Sequence, residues 1–259
     1  MQIPFVKYQG TGNDFILIDN RARLYDHLDV AFLCHPKFGI GGDGLMLLQN
    51  KEAYDFEMVY YNSDGQVSSM CGNGGRCIVD FAKSLGVFEG QNCHFLAVDG
   101  PHNAIWSEGM VELQMKNVDQ IEKRGNTYIL NTGSPHFILF QNEIKEFGLI
   151  EEAKAIRYND EFKAEGINVN FIEIMGSAHI GVRTYERGVE NETLSCGTGV
   201  TAASIALSKH LAFDNGDYHV QIETPGGHLM VKYHKLENRY SNVWLCGPAK
   251  AVFSGQIDL

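Results

Sequence analysis

The pattern of apolar and polar positions predicts strands and short helices that alternate along the chain. In the first part, apolar runs predict four strands, over Ile3–Tyr8, Phe15–Ile18, Leu45–Leu48 and Phe56–Tyr61. The first two flank the polar, glycine-rich stretch 10–14, so we expect them to form a β-hairpin. A short helix is expected over Asp29–His35, and residues 93–115 are expected to form two or three further strands.

Helical spacing begins directly after two of the cysteines. The residues after Cys71 recur on one helix face and stop at Gly86; they are Cys77, Ile78, Phe81, Ala82 and Leu85. The segment after Cys196 is apolar nearly all round over Val200–Leu207. A helix without a polar face is buried, so we expect the helix after Cys196 to lie inside the fold.

The second half of the chain repeats the first. Its predicted elements are strands over Tyr128–Leu130, Phe137–Phe140, Phe171–Ile174 and Ile180–Tyr185, a helix over Glu143–Lys154, and further strands after residue 218. Gly12 precedes Cys71, and Gly133 precedes Cys196, by almost the same number of positions. The repeat predicts two similar domains with a site between them, over residues 1–116 and 117–247, with a last strand near 248–259 that returns to the first domain.

Composition and charge narrow the class of protein. The chain has 259 residues, of which 44% are hydrophobic, an ordinary globular composition. A net charge of −11 argues against nucleic acid and an anionic membrane as partners. Because no secretion signal and no apolar run of membrane-spanning length occur, we expect a cytoplasmic protein with reduced thiols.

Two cysteines carry the candidate chemistry. Cys71 and Cys196 each precede a Gly-x-Gly sequence at a predicted helix start. The free N–H groups and the positive end of a helix dipole favour a thiolate and bind carboxylates. We interpret the remaining cysteines as small buried residues, namely Cys34, Cys77, Cys93 and Cys246. No C-x-x-C pair occurs, so a zinc site is not expected.

Two thiols could invert one stereocentre, one removing a proton as thiolate and the other returning a proton to the opposite face. Removing the α-proton of an amino acid needs stabilisation of the developing negative charge. The N–H groups after each cysteine are candidates for that role, at Gly72, Asn73, Gly197 and Thr198. His136 and Glu186 occupy corresponding turns of the repeat and are candidates for adjusting the thiol pKa values.

A glycine-rich stretch at 39–44 matches G-x-G-x-x-G, but it precedes a predicted strand instead of opening a helix. A dinucleotide-binding site is therefore not predicted here, because that site requires the motif to follow a strand and open a helix. We interpret the stretch as backbone that bends tightly near a ligand.

Several motifs together resemble the diaminopimelate epimerase family. They are Asn62-Ser-Asp-Gly, Met70-Cys-Gly-Asn-Gly-Gly-Arg-Cys, Tyr185-Glu-Arg-Gly and Cys196-Gly-Thr-Gly, supported by Gly12-Asn-Asp-Phe, Gly39-Ile-Gly-Gly-Asp-Gly, Pro135-His and Gly247-Pro-Ala. The resemblance implies a mixed α/β fold of two similar domains, each a curved mixed β-sheet around a central helix, related by a pseudo-two-fold. It also implies a homodimer that interconverts LL- and meso-diaminopimelate, in lysine and peptidoglycan precursor synthesis, with no pyridoxal phosphate, metal or other cofactor.

The resemblance assigns roles residue by residue. Cys71 and Cys196 match the acid/base pair, with Cys71 as proton donor and Cys196 as acceptor in one direction. The residues that match substrate-binding positions are Asn13, Asn62, Gly72, Asn73, Asn168, Glu186, Arg187, Gly197 and Thr198. Arg187 suits a bidentate grip on the distal carboxylate. Ser134 stands where many members carry asparagine, so we keep it as a secondary candidate for a substrate contact.

Two alternatives stay open at this point. A proline or hydroxyproline racemase-epimerase on the same scaffold resembles Met-x-Cys-Gly-His-Gly, whereas this chain has Asn73 in place of the histidine. A non-catalytic small-molecule binding protein is the other alternative, although such a protein is expected to have lost one of the two thiols.

Overall fold

Two compact units make up the fold. The computed structural model describes residues 2–68 and 70–258. One unit comprises Met1–Leu113 and Gly247–Leu259, and the other comprises Gln114–Cys246. The chain therefore leaves the first unit after Leu113 and returns to it at Gly247.

The first unit is built mainly of strands with two helices between them. Its elements are β1 (Gln2–Gly10), β2 (Asn13–Asp19), α1 (Val30–Cys34), β3 (Gly44–Gln49), β4 (Phe56–Asn62), α2 (Gly72–Ser84), β5 (Asn92–Ala97), β6 (Gly100–Ser107) and β7 (Met110–Gln114). The second unit continues with β8 (Ile121–Arg124), β9 (Thr127–Asn131), β10 (Pro135–Phe140), α3 (Leu149–Arg157), β11 (Asn168–Gly176), β12 (His179–Glu186) and β13 (Asn191–Thr193). It ends with α4 (Gly197–His210), β14 (Gly216–Thr224), β15 (Gly227–Leu236) and β16 (Arg239–Pro248), and β17 (Lys250–Asp258) belongs to the first unit.

The strands of the first unit form a mixed sheet. β1 pairs antiparallel with β17 and with β2, and Val6 faces Leu17 in the predicted hairpin. β2 pairs parallel with β3, with Phe15 opposite Gly44, and β4 pairs parallel with β5. The pairs β3–β4, β5–β6 and β6–β7 are antiparallel. Each parallel step needs a crossover, which α1 and α2 supply.

The second unit repeats this topology, with β13 added antiparallel to β12. β9 pairs antiparallel with β8 and β10, β10 pairs parallel with β11, and β11 pairs antiparallel with β12. β12 pairs parallel with β14, and the pairs β14–β15 and β15–β16 are antiparallel. Gly12 and Gly133 hold corresponding turns, and both have positive φ, 86° and 117°. The internal repeat and the mixed α/β fold predicted from the sequence are confirmed.

The two cysteine-led helices are the buried centres of their units. α2 packs on β1, β2, β3, β6 and β17, and ten of its residues are buried. α4 packs on β9–β12 and β15, and it is buried from Gly197 to Ser208 except at Thr198. α1 and α3 each contribute to a separate apolar cluster against their own sheet. The central strands are therefore buried on both faces.

Two bounds of the predicted elements are wrong. The helix expected over Glu143–Lys154 begins at Leu149, because Gly148 is its N-cap and the preceding residues form turns. The strand expected to begin at Phe171 begins at Asn168, so Asn168 and Asn170 lie in β11. Gly247 and Pro248 continue β16, and the break falls at Ala249. The helix starts later than predicted because Gly148 caps it, whereas in β11 sheet pairing overrides the local preference of asparagine for turns.

None of the helices within the described part of the chain combines the length and hydropathy needed to cross a bilayer.

Candidate active site

Cys71 and Cys196 occupy the same local structure in their two units. Each is the N-cap of its buried helix, with extended backbone at φ −98°, ψ 130° for Cys71 and φ −121°, ψ 113° for Cys196. The first intrahelical bonds run from Gly75 N to Cys71 O at 2.7 Å and from Val200 N to Cys196 O at 2.9 Å. The helix dipole therefore acts at both sulfurs.

The backbone N–H groups of the first helical turns face the same ends. Gly72 and Asn73 open α2, and Gly197 and Thr198 open α4. The first intrahelical donors are Gly75 N and Val200 N. The four N–H groups before them therefore have no acceptor within the helix. Such groups bind carboxylates and stabilise developing negative charge. The predicted carboxylate cradle thus has a counterpart in the local structure of each unit.

In the first unit, Asn13 lies beside Cys71. The Cys71 Sγ–H donates to Asn13 Oδ1 at 3.6 Å, and Asn73 Nδ2 donates to the same oxygen at 3.4 Å. Asn13 Nδ2 donates to a carboxylate oxygen of Asp43. Asn13 and Asn73, both predicted from the sequence, are therefore brought together with Cys71.

Charged groups at each end fix the direction of this chain of amides. Arg76 is fully buried and donates through Nη2 to Asn73 Oδ1 at 3.1 Å. A guanidinium only donates and a carboxylate only accepts. The sequence of donors therefore runs from Arg76 through Asn73 and Asn13 to Asp43, and it leaves Asn13 Oδ1 facing the Cys71 thiol.

Asn62 ends β4 in the first unit, opposite Gly44 in the neighbouring strand. Its backbone closes the following turn, since Asn62 N donates to Gln66 O at 3.0 Å and Gly65 N donates to Asn62 O at 2.9 Å. Among the described residues, no hydrogen bond uses the side-chain amide of Asn62. That amide is available for a ligand.

In the second unit, His136 reaches Cys196 through a hydroxyl group. His136 Nε2 lies 2.9 Å from Thr198 Oγ1, which lies 3.5 Å from Cys196 Sγ. Burial, with a smaller contribution from the positive charge of Arg187, lowers the pKa of His136 to about 3. His136 is therefore neutral at physiological pH, and its hydrogen bond goes to the Thr198 hydroxyl that neighbours the thiol.

Asn168, Ser134 and Arg187 form one connected group. Asn168 Nδ2 donates to Ser134 Oγ at 2.9 Å and to Pro135 O at 3.0 Å, while its Oδ1 accepts from Arg187 N at 2.9 Å. Arg187 Nη2 also donates to Ser134 Oγ at 3.4 Å. Ser134 thus supports Asn168 and Arg187, and its own hydroxyl proton is left for another acceptor.

The guanidinium of Arg187 is exposed, and its hydrogen bonds go to neutral oxygens, Glu165 O at 3.0 Å and Ser134 Oγ. No carboxylate of the described residues lies within ion-pair distance of it. Arg183, on the preceding strand β12, is different, because its Nε and Nη2 both bind Glu192. Glu186 is oriented by Thr193, whose hydroxyl donates to it at 2.9 Å.

The other cysteines lie in the apolar interior. Cys34, Cys77, Cys93 and Cys246 are all buried. Burial raises the pKa of Cys34 to about 11 and raises the pKa of Cys77 and Cys93 further above the usual thiol range. Within residues 2–68 and 70–258, no three His, Cys, Asp or Glu side chains are grouped so as to hold a metal ion.

Sequence reasoning missed two polar residues beside the site. Asp43 lies in the glycine-rich stretch, which we interpreted only as backbone near a ligand. Asn170 lies just before the strand predicted from Phe171, yet it is two residues from Asn168 and lies on the same face of β11. Two asparagines at strand spacing beside an apolar run were the available signal.

Comparison with known proteins identifies the family. The family model for diaminopimelate epimerase matches residues 5–126 and 128–252. The diaminopimelate epimerase of Flavobacterium psychrophilum is 46% identical over 255 residues, which cover 97% of this chain and 98% of the relative. That of Chlorobaculum tepidum is 39% identical over 259 residues, covering 96% and 99%.

Solved structures with low identity show how widely the fold is used. A PhzF-family phenazine biosynthesis protein of Bacillus anthracis matches with a TM-score of 0.79 at 13% identity, over 100% of both chains. A hydroxyproline epimerase of Agrobacterium vitis matches with a TM-score of 0.70 at 12% identity, covering 99% and 91%. These structures establish only the fold, whereas the sequence match over nearly the whole chain is specific: the chain belongs to the diaminopimelate epimerase family.

Proposed function

We propose that this chain is an amino-acid epimerase that interconverts LL-2,6-diaminopimelate and meso-diaminopimelate. The observation that carries the proposal is the paired local structure at Cys71 and Cys196, each the N-cap of a buried helix, in a chain 46% identical to a diaminopimelate epimerase. The enzyme is an isomerase, and its substrate is a small molecule that belongs to lysine and peptidoglycan precursor synthesis.

The proposed reaction uses both thiols. In one direction, the Cys196 thiolate takes the α-proton and the Cys71 thiol gives its proton to the opposite face of the same carbon. The electron pair left by the departing proton is delocalised into the carboxylate until the new C–H bond forms. Cys196 ends as thiol and Cys71 as thiolate, so the reverse reaction exchanges their roles.

The N–H groups of Gly72, Asn73, Gly197 and Thr198 stabilise the negative charge that develops on the α-carboxylate. Asn13, Asn62 and Glu186 bind the polar groups of the substrate. Asn168 offers a ligand only the second lone pair of Oδ1, because its other positions are already used.

Arg187 is proposed to bind the distal carboxylate of the substrate. Its exposed guanidinium, with no carboxylate partner among the described residues, supports this role. A bidentate pair between guanidinium and carboxylate combines charge with fixed geometry. Proline and hydroxyproline lack a distal carboxylate, so this residue favours diaminopimelate over those substrates.

The direct test is exchange of the α-proton of LL-diaminopimelate in D₂O, with L-proline as the control substrate. We expect deuterium at the inverted α-carbon of diaminopimelate and no deuterium in proline. Exchange into proline alone would instead support a proline racemase. Absence of exchange into either substrate by folded protein would favour the non-catalytic alternative.

The reaction is proposed to need neither pyridoxal phosphate nor a metal ion, because the proton transfers are made by thiols. Epimerisation is expected to persist after dialysis against a chelator, and loss of activity that added metal restores would contradict this.

A homodimer is also proposed from the family resemblance, and the exposed Val252 and Phe253 on β17 support an apolar contact. Analytical ultracentrifugation tests the assembly.

A further inference from the structure

Asn170 is a fully buried amide whose orientation is fixed by its neighbours. Its Oδ1 accepts from Thr184 Oγ1 at 2.9 Å, and its Nδ2 donates to Phe137 O at 3.2 Å. Because a carbonyl oxygen only accepts, the atom facing Phe137 O must be the nitrogen. The two ends of the amide are therefore assigned by chemistry.

This orientation decides which nitrogen of His136 carries the proton. Asn170 Nδ2 lies 3.1 Å from His136 Nδ1, and an amide nitrogen only donates. His136 Nδ1 must therefore be the unprotonated, accepting nitrogen. A neutral imidazole has one N–H, so the proton is on Nε2, 2.9 Å from Thr198 Oγ1.

The direction of the next hydrogen bond follows. Thr198 Oγ1 accepts the proton of His136 Nε2–H, so the hydroxyl proton of Thr198 is free to point at Cys196 Sγ, 3.5 Å away. A donated hydrogen bond stabilises a thiolate relative to a thiol. The relay therefore favours Cys196 as the proton acceptor before any substrate is bound.

We propose that Asn170 is a positioning residue for Cys196, because it holds His136 as the Nε2–H tautomer and thereby directs the Thr198 hydroxyl proton toward the sulfur. His136 acts in this relay as a neutral donor and takes up no proton itself. The proposal rests on the proposed function only in naming Cys196 as a base.

Gly199 supports the same relay by its lack of a side chain. A Cβ atom at position 199 would lie 2.5 Å from Asn170 Oδ1 and 3.4 Å from Cys196 Sγ. Any other residue there would push the amide or the helix away. The Cys-Gly-Thr-Gly motif thus places the thiol, the bridging hydroxyl and the space for Asn170 within four consecutive residues.

The first test is made on the wild-type protein without substrate. Nitrogen-15 NMR of the histidine rings distinguishes protonated from unprotonated ring nitrogens, and the difference spectrum of His136→Gln identifies the signal. We expect His136 to carry its proton on Nε2 alone at neutral pH. An Nδ1–H tautomer or an imidazolium at pH 7 would overturn the proposal.

The second test measures the thiol. Alkylation of Cys196 and of Cys71 is followed separately by peptide mass spectrometry across pH. In Asn170→Leu, which has similar volume but no donor, the alkylation midpoint of Cys196 is expected to rise by about one pH unit, a tenfold loss of thiolate below the midpoint. The midpoint of Cys71 is expected to stay unchanged.

Thr184→Val is the matched control, since it removes the hydrogen bond at the other end of the same amide and leaves the donation to His136 in place. It is expected to leave the Cys196 midpoint within a few tenths of a pH unit of the wild-type value.

If Asn170→Leu does not fold, Thr198→Val provides the measurement, with the same upward shift of the Cys196 midpoint expected. An unchanged Cys196 midpoint in the variant that folds would overturn the proposal. Neither test uses turnover, so failure of the relay is distinguishable from failure of the proposed epimerase activity.

Discussion

The Cys71 thiol donates its proton to the side-chain oxygen of Asn13, 3.6 Å away. An acceptor at this position favours the protonated form of the thiol. Cys196 faces the hydroxyl group of Thr198, whose oxygen accepts from His136 Nε2–H. The hydroxyl proton of Thr198 is therefore available to donate to Cys196. The two thiols occupy the same position in a repeated fold, yet their polar neighbours differ.

Replacement of either candidate catalytic thiol should abolish inversion while sparing one exchange reaction. Cys71→Ala and Cys196→Ala are each expected to lower epimerisation by several orders of magnitude, because one face of the carbon loses its only proton carrier. Each variant should still exchange the α-proton of one stereoisomer with retention in D₂O. Mass spectrometry combined with chiral chromatography measures both reactions.

The buried Cys93 is the control for the thiol replacements. Cys93→Ala is expected to lower the melting temperature and to leave turnover close to wild type, since this side chain packs in the interior. Near-normal epimerisation by Cys196→Ala would show that the two-thiol proposal is wrong.

Asp43 is expected to matter for catalysis although it is exposed. Its carboxylate accepts from Asn13 Nδ2 and from Asp14 N at 3.1 Å, so Asp43→Ala releases the Asn13 amide. A hydrogen bond to a charged group contributes about 1.5–3 kcal/mol, so we expect kcat/KM to fall by roughly 10- to 100-fold. Steady-state kinetics with LL-diaminopimelate measures this effect.

Asp29 is the matched control for Asp43. It caps α1 in the same unit, with its carboxylate accepting from Phe32 N at 3.0 Å. Asp29→Ala should reduce the free energy of unfolding by about 1 kcal/mol and leave kcat/KM within about twofold. Equal kinetic losses in both variants would mean that Asp43 contributes only stability.

Arg187→Lys should weaken catalysis on diaminopimelate without affecting the fold. Lysine keeps the charge but loses the planar pair of donors, and we expect kcat/KM to fall by about 10- to 100-fold. Arg183→Lys is the comparison, because Arg183 already binds Glu192 through two nitrogens. That variant should lower stability and leave kcat/KM nearly unchanged. Unaltered kinetics in Arg187→Lys would remove this residue from the site.

His136 should make the protein sensitive to acid. Its folded pKa of about 3 lies below the unfolded value of about 6.5, so below pH 6.5 the unfolded chain binds a proton that the folded chain does not. Stability from this group is complete above pH 6.5 and is lost as the pH falls toward 3, by up to about 1.4 kcal/mol per unit. Urea unfolding at several pH values measures the slope.

His136→Gln is expected to flatten this dependence between pH 6.5 and 4 and to leave it unchanged above pH 7. The same slope in the variant and the wild type would assign the acid sensitivity to other groups.

The amino-acid sequence by itself determined the repeat, the two cysteine-led helices and the family. Apolar spacing fixes a helix face because side chains recur every 3.6 residues, and glycines after Cys71 and Cys196 mark where the helices begin. The motifs around both thiols are contiguous, so no tertiary information was needed to find them.

Only the tertiary structure decided how polar neighbours distinguish the two thiols. Asp43, the residue before β3, meets Asn13 at the start of β2, and Asn170 meets His136 across the parallel pair β10–β11. In both cases a helical crossover separates the partners along the chain, and local periodicity does not report which residues become neighbours. In each unit, the direction of the hydrogen bonds is set by a group that can only donate or only accept. These groups are Arg76 and the Asp43 carboxylate in one unit and the Phe137 carbonyl in the other. Which atom carries each proton therefore depends on the hydrogen-bond network of the folded protein, because whether a group donates or accepts is decided by its neighbours in space.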